Sequence, residues 1–215
     1  GTGLCVERLN PDIHAVQFPF TLIATEDLLS LSRIPSFEIA ARDNLLMMQR
    51  RTETPFYAWH FTTPDGTRVH YINRNEIGFV SHRWLKIVSG VPAQCHPDND
   101  ENMKLEHLQQ FARENPDIKY WWLDYICVPQ EAGAENKLLA IQSLPHYVKS
   151  CSTFVALVHD DYGCEQRYTF DSWAQGGWCR LERMAANIPF ATRKLNARGE
   201  VIGKEIKCDT KIVVS

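Results

Sequence analysis

Three short apolar runs constrain the fold of this chain more than any other feature: residues 77–80 (Ile77, Gly78, Phe79, Val80), 120–123 (Tyr120, Trp121, Trp122, Leu123) and 153–158 (Thr153 to Val158). Runs of this length, apolar throughout and rich in β-branched and aromatic residues, read as strands buried on both faces. Stretches of helical period separate them. Asp98, Asn99, Asp100 and Glu101 place negative charge at the start of a helix, where they complement its dipole and remain solvated; Met103, Leu105, Leu108 and Phe111 form its apolar side, and Pro116 closes it. Leu138, Leu139, Ile141, Leu144 and Val148 mark a second helix that bends at Pro145. A third helix spans 177–188 and stops at Pro189, and 211–214 reads as a last strand. Such alternation predicts an α/β fold: an open parallel sheet with helices on both faces.

Each run breaks off into polar groups: Ser81, His82, Arg83 and Trp84 after the first, Asp124 and Tyr125 after the second, His159, Asp160 and Asp161 after the third. Open α/β sheets bind ligands beyond the carboxyl ends of their strands, so these residues are expected on one rim. The helix over 177–188 starts at the same edge. Successive residues turn by about 100°, so Trp178 and Glu182 are predicted to stand on nearly the same face, with Leu181, Ala185 and Ile188 as the buried stripe and Glu182 at its margin.

Ahead of this alternation, residues 1–75 read as an extension packed on the main domain, 76–215. Phe18, Phe20, Leu22 and Ile23 suggest a short strand. Thr25 is placed to cap a helix that Pro35 ends, and a second helix is expected over 36–50. Runs at 56–62 and 67–72 flank Pro64, Asp65 and Gly66, which is the turn chemistry of a β-hairpin.

The formal net charge of −3 gives no electrostatic case for nucleic acid or an anionic membrane surface as a partner. Seven scattered cysteines without a CxxC pair suggest reduced thiols and a cytoplasmic setting, and no apolar run is long enough to span a bilayer. A start without methionine and an end in an apolar run are expected of a segment cut from a longer protein. No Walker loop, G-x-G-x-x-G or G-x-S-x-G occurs, which disfavours the usual phosphoryl-transfer, dinucleotide redox and serine-hydrolase chemistries. Cys95 and His96 beside Asp98 and Asp100 fit neither a zinc nor an EF-hand pattern, and no metal or cofactor is expected.

What remains is a carboxylate, an arginine, hydroxyls and aromatics. A lone carboxylate suits a reaction with a cationic transition state, such as cleavage of a glycosidic bond through an oxocarbenium-like sugar. Nicotinamide on the ribose of NAD⁺ is a leaving group that needs no general acid. Glu182, held ionised by its helix N-terminus, would stabilise the developing charge, Trp178 would offer an aromatic surface, and Arg83 would hold phosphates. The plainer alternatives are that Trp178 is core, that Arg83 pairs with a surface acid and that Asp124 caps a loop.

Residues from about Glu76 to Ser215 resemble the Toll/interleukin-1 receptor (TIR) domain superfamily. Gly78 to His82 resembles its first strand and following loop. Trp122 to Gln130 is similar both to its second strand and to the W-I-D-x-x-C-I-x-Q segment of fungal heterokaryon-incompatibility (HET) domains. Trp178, Cys179, Arg180, Leu181 and Glu182 match the W-x-x-x-E segment in which catalytic TIR domains keep their NAD⁺-cleaving glutamate. The resemblance implies a flavodoxin-like sheet, Glu182 as the catalytic residue and Trp178 against the nicotinamide ribose. It also implies that Ser81, His82, Arg83 and Trp84 contact nucleotide, with Asp124 and Tyr125 lining the cleft. NAD⁺ would then be a substrate rather than a cofactor, self-association would run through the TIR-like domain, and the setting would be defence or cell-death signalling. Two other readings stay open: a non-catalytic TIR-like assembly module, and a related nucleoside N-glycosidic hydrolase or transferase. The long extension and the insertion at 162–177 depart from a minimal TIR domain.

Overall fold

The computed structural model describes residues 4–5, 17–49, 59–62, 69–87, 95–130, 134–158, 169–187, 190–195, 201–207 and 211–214. Strand β1 (Leu4–Cys5) belongs to a small sheet, and β2 (Thr21–Ala24) opens the main one. Helices α1 (Thr25–Ser30) and α2 (Phe37–Arg42) follow, then β3 (Leu46–Gln49), β4 (Trp59–Thr62), β5 (Val69–Ile72) and, after a 3-10 turn, β6 (Ile77–Ser81). The remainder comprises α3 (Met103–Glu114), β7 (Tyr120–Leu123), α4 (Asp124–Cys127), α5 (Ala134–Gln142), α6 (Leu144–Ser150), β8 (Thr153–Ala156), α7 (Phe170–Gln175), α8 (Gly177–Asn187), β9 (Phe190–Leu195), β10 (Val201–Lys207) and β11 (Lys211–Val214).

All five residues of β6 are buried, and parallel neighbours β7 and β8 flank it. Register places Phe79 beside both Trp122 and Phe154, and the rings stack at centroid separations of 4.3 and 5.4 Å. This aromatic ladder fixes the sheet by cross-strand packing. Gly78 meets Trp121 across the pair, where an added Cβ would lie 2.7 Å from the indole. Glycine is therefore required for the indole to lie against the strand.

The sheet is open and mixed, with strand order β11-β8-β6-β7-β2-β3-β4-β5, and the fold is α/β. Its first four strands are parallel to one another; β2, β3, β4 and β5 continue it antiparallel from the outer edge of β7. The wholly parallel sheet read from the sequence is thus half of the sheet observed. The segment before residue 76 supplies the other half and covers an edge that β7 would otherwise expose. Side-chain bonds bind it further: Tyr147 Oη donates to Phe18 O at 2.8 Å, and Ser143 Oγ accepts from Gln17 N at 3.0 Å.

Several local expectations changed. The helix expected over 36–50 stops at Arg42, because Asn44 takes a φ of 59° and turns the chain into β3, where Met47 and Met48 pair with Leu22 and Thr21. Thr25 does not cap α1; it is the first helical residue, and its hydroxyl donates to Ile118 O at 2.8 Å and accepts from Trp121 Nε1 at 2.9 Å. The helix bent at Pro145 is two helices, with Pro145 in the first turn of the second, where its missing N–H leaves no bond unmade. Helix α3 begins after Asn102, and Asp98 is fully buried, its carboxylate accepting from Lys104 N at 3.0 Å and Leu105 N at 2.8 Å. It is a specific cap rather than part of a solvated acidic start. The turn at Pro64, Asp65 and Gly66, the polar strand end at His159, Asp160 and Asp161, and Ile188 and Pro189 lie outside the described residues. Strands β1, β9 and β10 form a separate three-stranded antiparallel sheet that the sequence pattern did not suggest.

Candidate functional site

The chain leaves β6 for β7 on one side and then returns for β8 on the other, so the strand direction of travel reverses at β6. The carboxyl end of β6, beside β8, is the position at which open α/β sheets form a ligand crevice. Ser81 is the last residue of that strand, and Leu157 N donates to its carbonyl at 2.9 Å. Two hydrogen-bonded networks leave this point from consecutive residues.

The first starts at Ser81, which is completely buried. Its hydroxyl donates to Glu182 Oε2 and accepts from Trp173 Nε1 at 3.0 Å. Trp173 and Glu182 are 1 % and 8 % exposed, so the chain from indole through hydroxyl to carboxyl is held away from water. Burial is the main influence on Glu182 and pushes its pKa up to about 8, only partly opposed by the Ser81 bond; the charge of Asp124 adds to the rise. The expectation of an ionised glutamate is overturned. Glu182 is the sixth residue of α8, beyond the first turn in which a helix N-terminus favours negative charge, and desolvation dominates there.

The buried face of α8 is also rotated from the expected one. Cys179, Glu182, Ala185 and Ala186 are buried, whereas Leu181 is 40 % and Trp178 is 58 % exposed. The helix packs on α6 and α7, and the face turned inward carries small side chains that allow close approach. Glu182 therefore lies within the buried face instead of at its margin, and Trp178 does not share its surroundings. Cys179 Sγ donates to His82 O at 3.7 Å, and burial raises its thiol pKa to about 11, so it is held as an unreactive thiol.

The second network starts at His82. Its Nε2 lies 2.9 Å from Asp124 Oδ1, and its Nδ1 lies 3.2 Å from Lys104 Nζ. Lys104, 1 % exposed on α3, also donates to Arg83 O. Burial and then the Lys104 charge push the His82 pKa down against the pull of Asp124, leaving a neutral ring that donates from Nε2 and accepts at Nδ1. Burial opposes the charge of Asp124, but the His82 ring, Trp84 Nε1 at 2.8 Å and Tyr125 N at 2.7 Å more than offset it and hold its carboxyl below the usual range. The Trp84 and His96 rings stand edge-on to Tyr125 at 5.3 and 5.1 Å. Arg83 Nη1 donates to Ser172 O at 3.3 Å, which ties the loop after β6 to α7.

The structure thus joins Ser81 to Glu182, and His82 and Trp84 to Asp124, while Trp178 stands apart on the surface. Two members of these networks were not singled out in the sequence. Lys104 carried a usable signal: it lies on the stripe of Leu108 and Phe111, where a charge needs a buried partner. Trp173 carried none, being one aromatic in the insertion before α8.

Among the described residues, no group of three or more His, Cys, Asp or Glu side chains is arranged to hold a metal ion. His96 directs Nε2 to Ile34 O at 3.0 Å and accepts from Asp98 N at Nδ1, also at 3.0 Å. A cleft of about 670 Å³ opens beyond Tyr125, lined chiefly by residues 30–36 with Ile39, Leu45, Lys86 and His96; Glu182 is not in its lining. Among the described residues no helix is long and apolar enough to cross a membrane, and Cys95, Cys127, Cys151 and Cys179 form no disulfide. No protein-family model, curated protein or solved structure matches this chain.

Proposed function

We propose that this chain cleaves the N-glycosidic bond between nicotinamide and ribose in NAD⁺, acting as a glycohydrolase or cyclase. The observation that carries this reading is the pairing of Glu182 with Ser81 at the carboxyl end of β6. Two further points support it. The order of the parallel strands, with the first strand between the second and third, is compatible with a flavodoxin-like sheet, a class that binds ligands at this end. The W-x-x-x-E resemblance selects the same glutamate from the sequence alone.

In this reading the carboxylate form of Glu182 acts. As the C1′–N bond breaks, its electron pair leaves with nicotinamide, whose ring loses its positive charge, and the ribose takes up oxocarbenium character that the carboxylate stabilises. Water then adds at C1′ and releases a proton, giving ADP-ribose; attack by an adenine nitrogen gives a cyclic isomer instead. A carboxyl with a pKa of about 8 is mostly protonated at neutral pH, so the bound nicotinamide cation assists by favouring its ionisation. The value of kcat/KM, which reports the free enzyme, is expected to rise with pH, reach half its maximum near 8 and level off about a unit above.

The test is nicotinamide release from NAD⁺ by wild type and Glu182→Gln, measured dilute and under conditions that favour assembly, with nucleosides in parallel. A loss of about a hundred- to a thousand-fold in the variant is expected. No release by wild type under any of these conditions, or an equally active Glu182→Gln, defeats the proposal; cleavage of nucleosides but not NAD⁺ transfers it to the nucleoside hydrolases.

One observation favours a second reading, a TIR-like assembly module. Trp178, Leu181 and Met184 are 58, 40 and 64 % exposed along α8, an apolar stripe suited to self-association. Under that reading Trp178→Glu abolishes concentration-dependent association in sedimentation experiments. A monomeric wild type at all concentrations excludes it.

A further inference from the structure

We infer that the cleft beyond Tyr125 is a nucleotide subsite that takes the adenosine 5′-phosphate end of the substrate. The inference rests on the NAD⁺ reading for its ligand, but its geometry is separate from Glu182. The volume of about 670 Å³ lies within the range of small-molecule sites and is ample for one nucleoside monophosphate.

The lining divides by chemistry. Ile39, Leu45 and Tyr125 give an apolar and aromatic surface for a flat base, and Ile39 is 43 % exposed although it faces the cleft. Edge-on contacts with the Trp84 and His96 rings hold the Tyr125 ring, so this surface is preorganised. Arg33 and Lys86 bring positive charge suited to a phosphate. Lys86 is anchored by Asp100 at 3.1 Å, and Arg33 lies close enough to help lower the Asp100 pKa. The one carboxylate in the lining, Asp43, is paired with Arg42 at 2.8 Å, which limits its repulsion of an anion. Apolar surface with nearby cations is the complement of a phosphorylated aromatic heterocycle.

The position agrees with that role. Tyr125 follows Asp124, whose carboxylate holds His82, and His82 is bonded through the chain to Ser81, the partner of Glu182. Trp84 and Tyr125 thus link the cleft to the end of β6 through Asp124 and His82. Most of the lining comes from residues 30–45, which assigns the amino-terminal segment a part in substrate selection.

The experiment is titration calorimetry of AMP into the full chain, alongside cleavage assays with NAD⁺ and with nicotinamide mononucleotide, which lacks the adenosine end. Arg33→Glu reverses the charge and Ile39→Trp fills the cleft; both residues are at the surface, and thermal melts check that each variant is folded. AMP is expected to bind wild type, with Kd raised tenfold or more in either variant, and the kcat/KM preference for NAD⁺ over the mononucleotide is expected to fall about tenfold. Absence of AMP binding to wild type, or a Kd within twofold of wild type in both variants, overturns the inference. If wild type cleaves neither substrate, the NAD⁺ reading fails while the AMP titration still decides the cleft. If both substrates are cleaved with equal kcat/KM and AMP does not bind, the subsite fails and the NAD⁺ reading stands.

Discussion

Glu182 is buried and Asp124 half-buried at the end of β6, and their environments favour opposite protonation states. Asp124 accepts from the His82 ring, the Trp84 indole and the Tyr125 backbone N–H, with the Lys104 ammonium behind His82. Glu182 accepts from Ser81 alone among the contacts described, with small apolar neighbours on its helix. One carboxyl is therefore held as an anion below the usual range and the other as an acid up to about 8. Donors and charge, together with the lesser burial of Asp124, decide which form persists. An acid poised near neutrality beside a fixed anion is a separation that proton-dependent chemistry requires.

The largest effect expected from this contrast is the pH dependence of stability. Glu182 keeps its proton when folded to a pH of about 8 but releases it near 4.5 when unfolded. Its contribution is full below 4.5 and is lost as pH rises through about 8, amounting to at most about 5 kcal/mol. Urea unfolding from pH 5 to 9 should show wild type weakening relative to Glu182→Gln, which mimics the neutral form. Parallel curves for the two proteins would remove the contrast. Asp124 has the reverse sign: its lowered pKa contributes stability above the unfolded value, near 3.8, which is lost as pH falls through the folded value. Asp124→Ala leaves His82 Nε2 and Trp84 Nε1 without their acceptor and should cost about 3 kcal/mol at pH 7. A cost below about 1 kcal/mol would show that solvent already screens the half-buried carboxylate.

The strands of the parallel half were legible because buried strands are continuous apolar runs, and Ile77, Trp121 and Phe154 stood inside them. Less legible was anything set by which faces meet. Helical period gave α8 an apolar stripe through Leu181 and Ala185, of which Ala185 is buried, but packing on α6 turned Cys179 and Ala186 inward, and Glu182 with them. The inclusion of residues 17–49 in the same sheet was hidden for a related reason: antiparallel addition to β7 depends on an open edge, which no local pattern records. Likewise, Lys104 lies 22 positions from His82, and only the contact of α3 with the loop after β6 brings them together.

Lys104→Met tests the charged network from its far end. The variant retains most of the buried stem but leaves His82 Nδ1 and Arg83 O without this donor, a cost of about 2 kcal/mol. Removing the neighbouring positive charge should also raise the His82 pKa, so an NMR titration should find it protonating at higher pH than in wild type. An unchanged or lower His82 pKa would mean that Lys104 does not act on the ring.

The smallest effect belongs to Ser81→Ala, which probes the neutral network. The substitution removes two buried hydrogen bonds, one to the Glu182 carboxyl and one from the Trp173 indole N–H, about 1.5 kcal/mol in all. The Ser81 bond is the influence that lowers the Glu182 pKa against its burial, so its loss should move that pKa further above about 8. The pH at which nicotinamide release reaches half its maximum should shift upward with it, while Asp124, bound through a different set of donors, keeps its own titration. A downward shift would mean that Ser81 stabilises the protonated carboxyl more than the carboxylate, and a parallel shift of Asp124 would mean that the two networks respond as one.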